Sequence, residues 1–481
     1  MMRRITLYVL LLATSIFVFA VTGPNDGSSV AEFSSPALPG TPAVFPNKSL
    51  VTSSWFCGGT SAAGESENGT YGGEIVISNP SKVPVVGVMT VLTTDQQPLT
   101  RAVDVEPRSQ LIVEINSLVT APYASVFVEL NDSSASVEQR ALHPAGAAVS
   151  PCSNRSSAEW YFADGFSAES SDFRIILTNP YLTPAIVDIG VATQAGARTP
   201  TNLQGYVVPP QSIRVLNLPE SGFRDEKILA VSVVATSGRL VAAKDQHYLG
   251  GGRLGHVLTL GSPSRSDQWW FADGEKGPGI SETYMIFNPG EQDVTADIVM
   301  LGLDPAVSAV APISLVIPAQ DVVAFDVSAI LGLPDGPHGG VVSGQAGANL
   351  VVERIVTRPA GSSVATTAVL GAQRGYQSTR WSVPTSTAIA IEDVLIVLNT
   401  SGNNGVVTVY SVGPGGEEPV PGLSDIPIAA NGLLSIDLID PLAFGRALEV
   451  TSDQLILVER RLERTSTLRG RSGSLAFPEK L

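Results

Sequence analysis

Trp160-Tyr161-Phe162-Ala163-Asp164-Gly165 returns as Trp269-Trp270-Phe271-Ala272-Asp273-Gly274, and each copy runs into an apolar stretch that ends in Asn-Pro: Asn179-Pro180 after RIILT, Asn288-Pro289 after YMIF. The spacing of roughly 110 residues is the length of one small β-domain, so one unit has been copied in tandem. Weaker copies flank this pair. Upstream stands Trp55-Phe56-Cys57-Gly58-Gly59 with Asn79-Pro80, and downstream Trp381 with Asn399-Thr400.

Within the second copy, WYF, FRIILT, AIVDIGVA, GYVV, SIRVLNL, LAVSVVA and LVAAKDQHYL alternate with period two and are punctuated by Gly, Pro, Asn and Asp. About seven short strands in about a hundred residues is the pattern of a β-sandwich. No segment carries a helical stripe beyond one or two turns. A proline corner recurs between the middle strands, at Pro107, Pro209-Pro210, Pro318 and Pro427. Proline lacks a ladder donor, which places the corner at an edge or at the crossover between sheets. The fold class expected is therefore all-β: four tandem β-sandwich modules over 54–152, 153–261, 262–375 and 376–468, with a C-terminal tail at 469–481.

Ahead of the modules, Arg3 and Arg4 precede an uncharged run from Ile5 to Val21. It is long for a signal-peptide core and short for a comfortable membrane span, so cleavage near Ala20 and retention as an anchor both stay open for residues 1–21. Either way, the positive-inside rule places the rest outside the cytoplasm. Residues 22–53 are rich in Pro, Ser and Gly and read as a linker, either a spacer or a disordered terminus. The only two cysteines, Cys57 and Cys152, bracket the first module, and in an oxidising compartment they are expected to form a disulfide. A net charge of −16 argues against nucleic acid or an anionic membrane surface as partner.

The stretch around Pro151-Cys152, EWYFADG, the NP-terminated strands, VVPPQSIRVLNL and the N-terminal apolar run resemble an uncharacterised family of exported actinobacterial proteins built from tandem β-modules. The WYFADG unit is also similar to the opening strand of the sensory-rhodopsin transducer sandwich. These resemblances imply the module and the export, and they imply no activity. The first repeat departs from the motif with CGG for ADG, and the fourth with SVP for FAD.

Two readings of the motif compete. In the first, one aromatic ring packs into the sandwich while Asp and Gly form the turn. In the second, Trp160, Asp164, Trp269 and Asp273 form a stacking and hydrogen-bonding platform for sugars. Asn79, Asn179, Asn288 and Asn399 suit Asx turns. Late strands carry Glu138, Lys244, Glu353-Arg354 and Glu459-Arg460-Arg461 at or near equivalent places, and alternation is expected to put at least one of each pair outward, as cross-strand ion pairs between sheet neighbours.

Catalytic patterns are lacking. Gly250, Gly252 and Gly255 spell GxGxxG without a βαβ unit, and no GxSxG, HExxH or EF-hand loop occurs. His143, His247, His256 and His338 sit at different places in the repeat and read as ordinary surface or edge residues. No metal site and no cofactor are expected. The function expected is a non-enzymatic cell-envelope scaffold or adaptor that binds another envelope protein; the alternative is a carbohydrate-binding protein acting on envelope polysaccharide.

Overall fold

A computed structural model describes residues 52–67, 69–304, 310–385, 392–438, 446–463 and 471–479. The apolar run 5–21, the cleavage position at Ala20 and the linker up to residue 51 lie outside the described residues. Among those described, no helix is long and apolar enough to cross a membrane.

The protein is all-β, built among the described residues from antiparallel sheets and three short 3-10 turns. Each of the first three repeats contributes two sheets. In repeat two, Glu159–Phe162, Leu229–Ser237 and Ala185–Thr193 pair in one, and Ser212–Asn217, Asp172–Asn179, Val241–Gly250 and Arg253–Leu260 in the other. Both sheets turn their apolar residues onto a shared core that holds Trp160, Ile175, Leu177, Ile189 and Val231. Repeat four departs from this plan: its strand Ala447–Glu463 is long enough to run through both layers and joins them into one nine-stranded sheet.

The opening strand of each repeat is closed by the residues that follow its own last strand. Phe56 pairs with Ser153, Tyr161 with Ser262, Trp270 with Ala372 and Ser382 with Phe477. The last of these pairs corrects the expected tail. Arg471–Leu475 and Phe477–Pro478 are strands of repeat four. The RSGSL strand lacks apolar alternation because it lies against neighbouring repeats, where small side chains are required.

The four opening tryptophans, Trp55, Trp160, Trp269 and Trp381, are fully buried. Three donate their indole N–H to the carbonyl of a strand entering the sandwich: Trp160 to Leu240 at 2.9 Å, Trp269 to Leu350 at 3.1 Å, Trp381 to Ile456 at 3.2 Å. Two residues after the tryptophan, repeats two and three carry Phe162 and Phe271, whose rings lie on Gly261 and Gly371. A Cβ at either glycine would come within 2.7 and 2.5 Å of the ring. In repeat one the same two positions are Cys57 and Cys152, which are joined in a disulfide. A covalent bond replaces a ring-on-glycine contact.

The strand-ending asparagines do more than turn the chain. Each accepts the backbone N–H two residues on at 3.0 Å, from Ser81, Tyr181, Gly290 and Ser401. Each also donates its amide across to the proline corner, as Asn179 does to Val208 O and Pro209 O, and Asn288 to Ile317 O and Pro318 O. The corner is the crossover between the two sheets. It places Arg108, Gln211, Gln320 and Asn431 at positive φ, and each of these returns its own N–H to the asparagine's turn, for example Gln211 to Tyr181 O at 2.9 Å. A left-handed non-glycine residue is costly, so four recurrences at one position mark a constraint imposed by the crossover.

The described residues form one compact unit. Within it the last inner strands, Gly146–Pro151, Arg253–Leu260, Ser363–Leu370 and Arg471–Leu475, pack side by side in cyclic order: one on two, two on three, three on four and four on one. The repeats close a ring. Between these strands lies a narrow cavity of about 40 Å³, lined by Val149, Leu260, Val369 and Ser474 among others.

Candidate functional site

The late-strand charges Glu138, Lys244, Glu353, Arg354, Glu459 and Arg460 are buried, so the outward member of a pair meets a neighbouring repeat, while Arg460 and Arg461 make the expected cross-strand pairs with Asp393 and Glu392. Strand registers make Glu138, Ala243, Glu353 and Glu459 equivalent, since they pair with Pro151, Leu260, Leu370 and Leu475 on the last strands. Glu353 reaches back into repeat two and accepts the N–H of Ala163 at 2.9 Å; Glu459 reaches back into repeat three and accepts that of Ala272 at 2.6 Å. These two glutamates thus hold the aromatic-Ala-Asp opening of the preceding repeat. Both faces of these inner sheets are buried, so alternation offers no solvent face.

Asp164 and Asp273 are buried counter-ions, and the Asp-Gly turn expected there does not form. Asp164 meets Lys244 at 3.2 Å, Arg253 at 3.2 Å and the Tyr248 hydroxyl at 2.8 Å, while Lys244 also bonds Glu353 of the next repeat. Burial opposes ionisation of Asp164, but Lys244 and Arg253 outweigh it and hold the carboxyl below its ordinary range. Lys244 is held above its usual value against the same burial by Glu353 and Asp164. In repeat three, Asp273 bonds Arg358 at 3.0 Å and also Arg461 of repeat four, and Arg354 bonds Glu459 at 2.7 Å. Gly165 and Gly274 have ordinary negative φ. They are glycine because a Cβ would come within 2.4 Å of Phe173 and 2.6 Å of His338. With Trp160 and Trp269 fully buried, none of the four platform residues offers a face to a ligand in this structure.

The ring changes where the sequence departs from the motif. In repeat four, Pro384 stands where Ala163 and Ala272 stand and has no N–H to give. Glu138 instead bonds Arg140 at 2.9 Å, and Arg140 reaches across to Thr385 O at 2.9 Å. In repeat one, Gly58 takes that place and the facing glutamate is replaced by Ala243; a Cβ on Gly58 would come within 2.5 Å of the Ala243 methyl. There the two backbones meet without an ion pair.

Polar groups at that same seam gather farther out. A pocket of about 150 Å³ lies between repeats one and two, lined by Tyr71 and His143 from one side and by His247, His256 and Arg174 from the other. Asp245 anchors it, bonding His256 Nε2 at 2.7 Å and accepting the Tyr123 hydroxyl at 2.7 Å. Tyr123 in turn accepts from Arg174 at 2.5 Å, and Arg174 also pairs with Asp172. The rings of His143 and His256 stack with centroids 4.4 Å apart and 12° between planes, while Tyr71 and His247 meet His143 edge-on at 5.0 and 4.6 Å.

Burial, with His256 and His247 nearby, pushes His143 down to about 3; burial and His256 also lower His247. Both rings are neutral at physiological pH. Burial opposes the Asp245 charge, yet His256 and Tyr123 hold its carboxyl well below the ordinary carboxylate range. Burial and Asp245 raise the Tyr123 phenol. His143 Nδ1 accepts the N–H of Ala145 at 3.0 Å, which leaves Nε2–H as the donor of that neutral ring. His256 Nδ1 is buried and has no hydrogen-bond partner among the described residues.

Three of the four histidines therefore converge, contrary to the expectation of scattered surface residues. The fourth, His338, is buried 2.9 Å from Glu282. Sequence reasoning missed the cluster because His143 ends a strand of repeat one while His247 and His256 face each other across a hairpin of repeat two. Gly250 and Gly255 lie in that same hairpin, Val241–Gly250 with Arg253–Leu260, and Gly252 in its turn, so the GxGxxG spelling serves a β-turn. No group of His, Cys, Asp and Glu among the described residues is arranged to hold a metal ion.

Residues 143–253 match a family of unknown function, DUF5719, so the matched segment starts at His143 and ends within the hairpin of repeat two. No curated protein matches the chain in sequence. Among solved structures, a Thermotoga maritima protein, described as "Thermotoga maritima 1070", is 17% identical over 23% of this chain and 96% of its own, with a TM-score of 0.20. A tetra-tandem repeat from the extending region of a large adhesion protein is 10% identical over 84% of this chain and 94% of its own, with a TM-score of 0.12. At those scores neither carries a structural argument.

Proposed function

We propose that the chain is a non-enzymatic scaffold or adaptor, exported beyond the cytoplasmic membrane, whose ring of repeats binds another envelope protein. One observation carries this reading: the charged residues that recur are consumed between repeats, where they lock the ring, and the recurring tryptophans are consumed inside each repeat. What the ring offers outward is a set of exposed apolar side chains on turns and edge strands, led by Leu331, Leu182 and Val316 at 92, 80 and 60 % exposure. Such residues at the periphery of a rigid body suit a protein contact.

Photo-crosslinking amino acids at Leu182 and Leu331 in producing cells test it. A discrete partner captured from those positions, and lost when a neighbouring exposed position is replaced by Arg, is the expected result. Absence of any crosslink together with cleavage of envelope glycan by the purified chain would overturn it.

A second reading, carbohydrate binding, is favoured by the polar pocket between repeats one and two, which joins aromatic rings to unspent hydrogen-bonding groups.

A further inference from the structure

Resting on that second reading, we propose that the pocket between repeats one and two binds one neutral sugar residue, held by His143, His247, His256, Tyr71 and the Thr60 hydroxyl. The occupant's size follows from the cavity. About 150 Å³ is several times the roughly 30 Å³ a water occupies in the liquid, enough for a small hydroxylated ring and too little for a chain.

The chemistry of the walls selects among ligand classes. An anion is disfavoured: Asp172 and Asp245 outnumber the one cation, Arg174, and the guanidinium is already bonded to Tyr123 and Asp172. A divalent metal is disfavoured as well. The stacked His143 and His256 rings, only 12° from parallel, do not converge their in-plane nitrogens, and His143 Nδ1 is occupied by the Ala145 N–H. Both carboxylate oxygens of Asp245 are engaged, one by His256 and one by Tyr123.

What remains is a set of neutral groups. His143 Nε2–H is a donor. With Nε2 engaged by Asp245, His256 Nδ1 is the ring nitrogen left for a ligand, and a hydroxyl suits it because it can donate as well as accept. Leaving His256 Nδ1 buried without a partner costs the desolvation of a polar atom, which a ligand hydroxyl would restore. The Tyr71 ring, edge-on to His143, supplies the apolar surface that a pyranose face requires.

The test is isothermal titration calorimetry on the full-length chain with free glucose, galactose, mannose and arabinose, paired with NMR of the histidine ring protons. Wild-type protein is expected to bind at least one of them with shifts at His143 and His256. Thr60→Val removes one hydroxyl at constant shape, and His143→Phe keeps the stacked ring while removing its nitrogens. Each is expected to weaken binding about tenfold or more, Thr60→Val with an unchanged thermal midpoint. If His143→Phe does not fold, Thr60→Val and the ring-proton shifts still decide. Sugar binding unaffected by both variants would overturn the site and leave the carbohydrate reading standing. No binding of any of the four sugars, or binding of zinc chloride or inorganic phosphate in their place, would overturn the site; failure also on intact envelope polysaccharide would remove the carbohydrate reading itself.

Discussion

The seam between repeats two and three and the seam between repeats one and two are built on the same backbone plan and spend their polarity differently. At the first, Glu353 inserts into the opening of repeat two and is neutralised by Lys244, which also serves Asp164. At the second, Ala243 replaces the glutamate and Gly58-Gly59 replace Ala-Asp, so the chains close backbone to backbone and the polar residues move outward around Asp245. A buried charge must be satisfied completely and so admits no ligand; a neutral cluster at the rim can leave hydrogen-bonding capacity unspent. The difference teaches where to look for binding: at the seam whose sequence departs from the repeat.

The largest effect is expected from breaking the charged seam. Lys244→Met strands Glu353 without a cation and leaves Asp164 to Arg253 alone, and removal of one partner from a buried network costs about 3–5 kcal/mol. Equilibrium denaturation should show it, and a loss under about 1 kcal/mol would mean that the network is not what closes this seam.

Next comes the disulfide that stands where repeats two and three use a phenylalanine on a glycine. Replacing Cys57 and Cys152 together by Ala should cost about 2–4 kcal/mol through the freedom returned to the unfolded chain. Peptide mapping without reductant checks the bond itself, and two free thiols would contradict it.

A smaller effect probes the uncharged seam directly. Gly58→Ala brings a methyl within 2.5 Å of Ala243, so it should cost about 1–3 kcal/mol of overpacking. The double change with Ala243→Gly should recover most of that loss, which makes the pair a test of contact between repeats one and two.

Acidification gives the mildest separation. His143 and His247 both have folded pKa values below the unfolded value of about 6.5, so their contribution is complete above pH 6.5 and falls away below it, for His143 down to about 3. Between pH 7 and 5 the seam should lose about 1–2 kcal/mol. Glu449, pushed up to about 7 by burial despite Arg380, works in the opposite direction over that range. The informative measurement is therefore the difference between wild type and His143→Phe, whose pH dependence should be the flatter of the two.

Much of this protein was legible in its residues because repetition reports local structure four times over. Period-two alternation, the Asn-Pro strand ends and the proline corners are local signals, and the antiparallel sheets, Asx turns and crossovers follow from them. The pairing of Cys57 with Cys152 was equally accessible, since no other cysteine competes. Less legible was the role of Asp164 and Asp273. An Asp-Gly pair has the chemistry of a turn, and only a lysine 80 residues away or an arginine 85 residues away makes it a buried counter-ion.

Sequence by itself determined the fold class and the repeat, because those depend on contacts within one copy. Tertiary structure alone decided the closed ring, the burial of the late-strand charges and the meeting of His143 with His247 and His256. Those depend on which face of one repeat meets which face of the next, and a repeated pattern is silent on that choice. The two departures, Gly58 opposite Ala243 and Pro384 opposite Glu138, acquired meaning only when the ring set each against its partner.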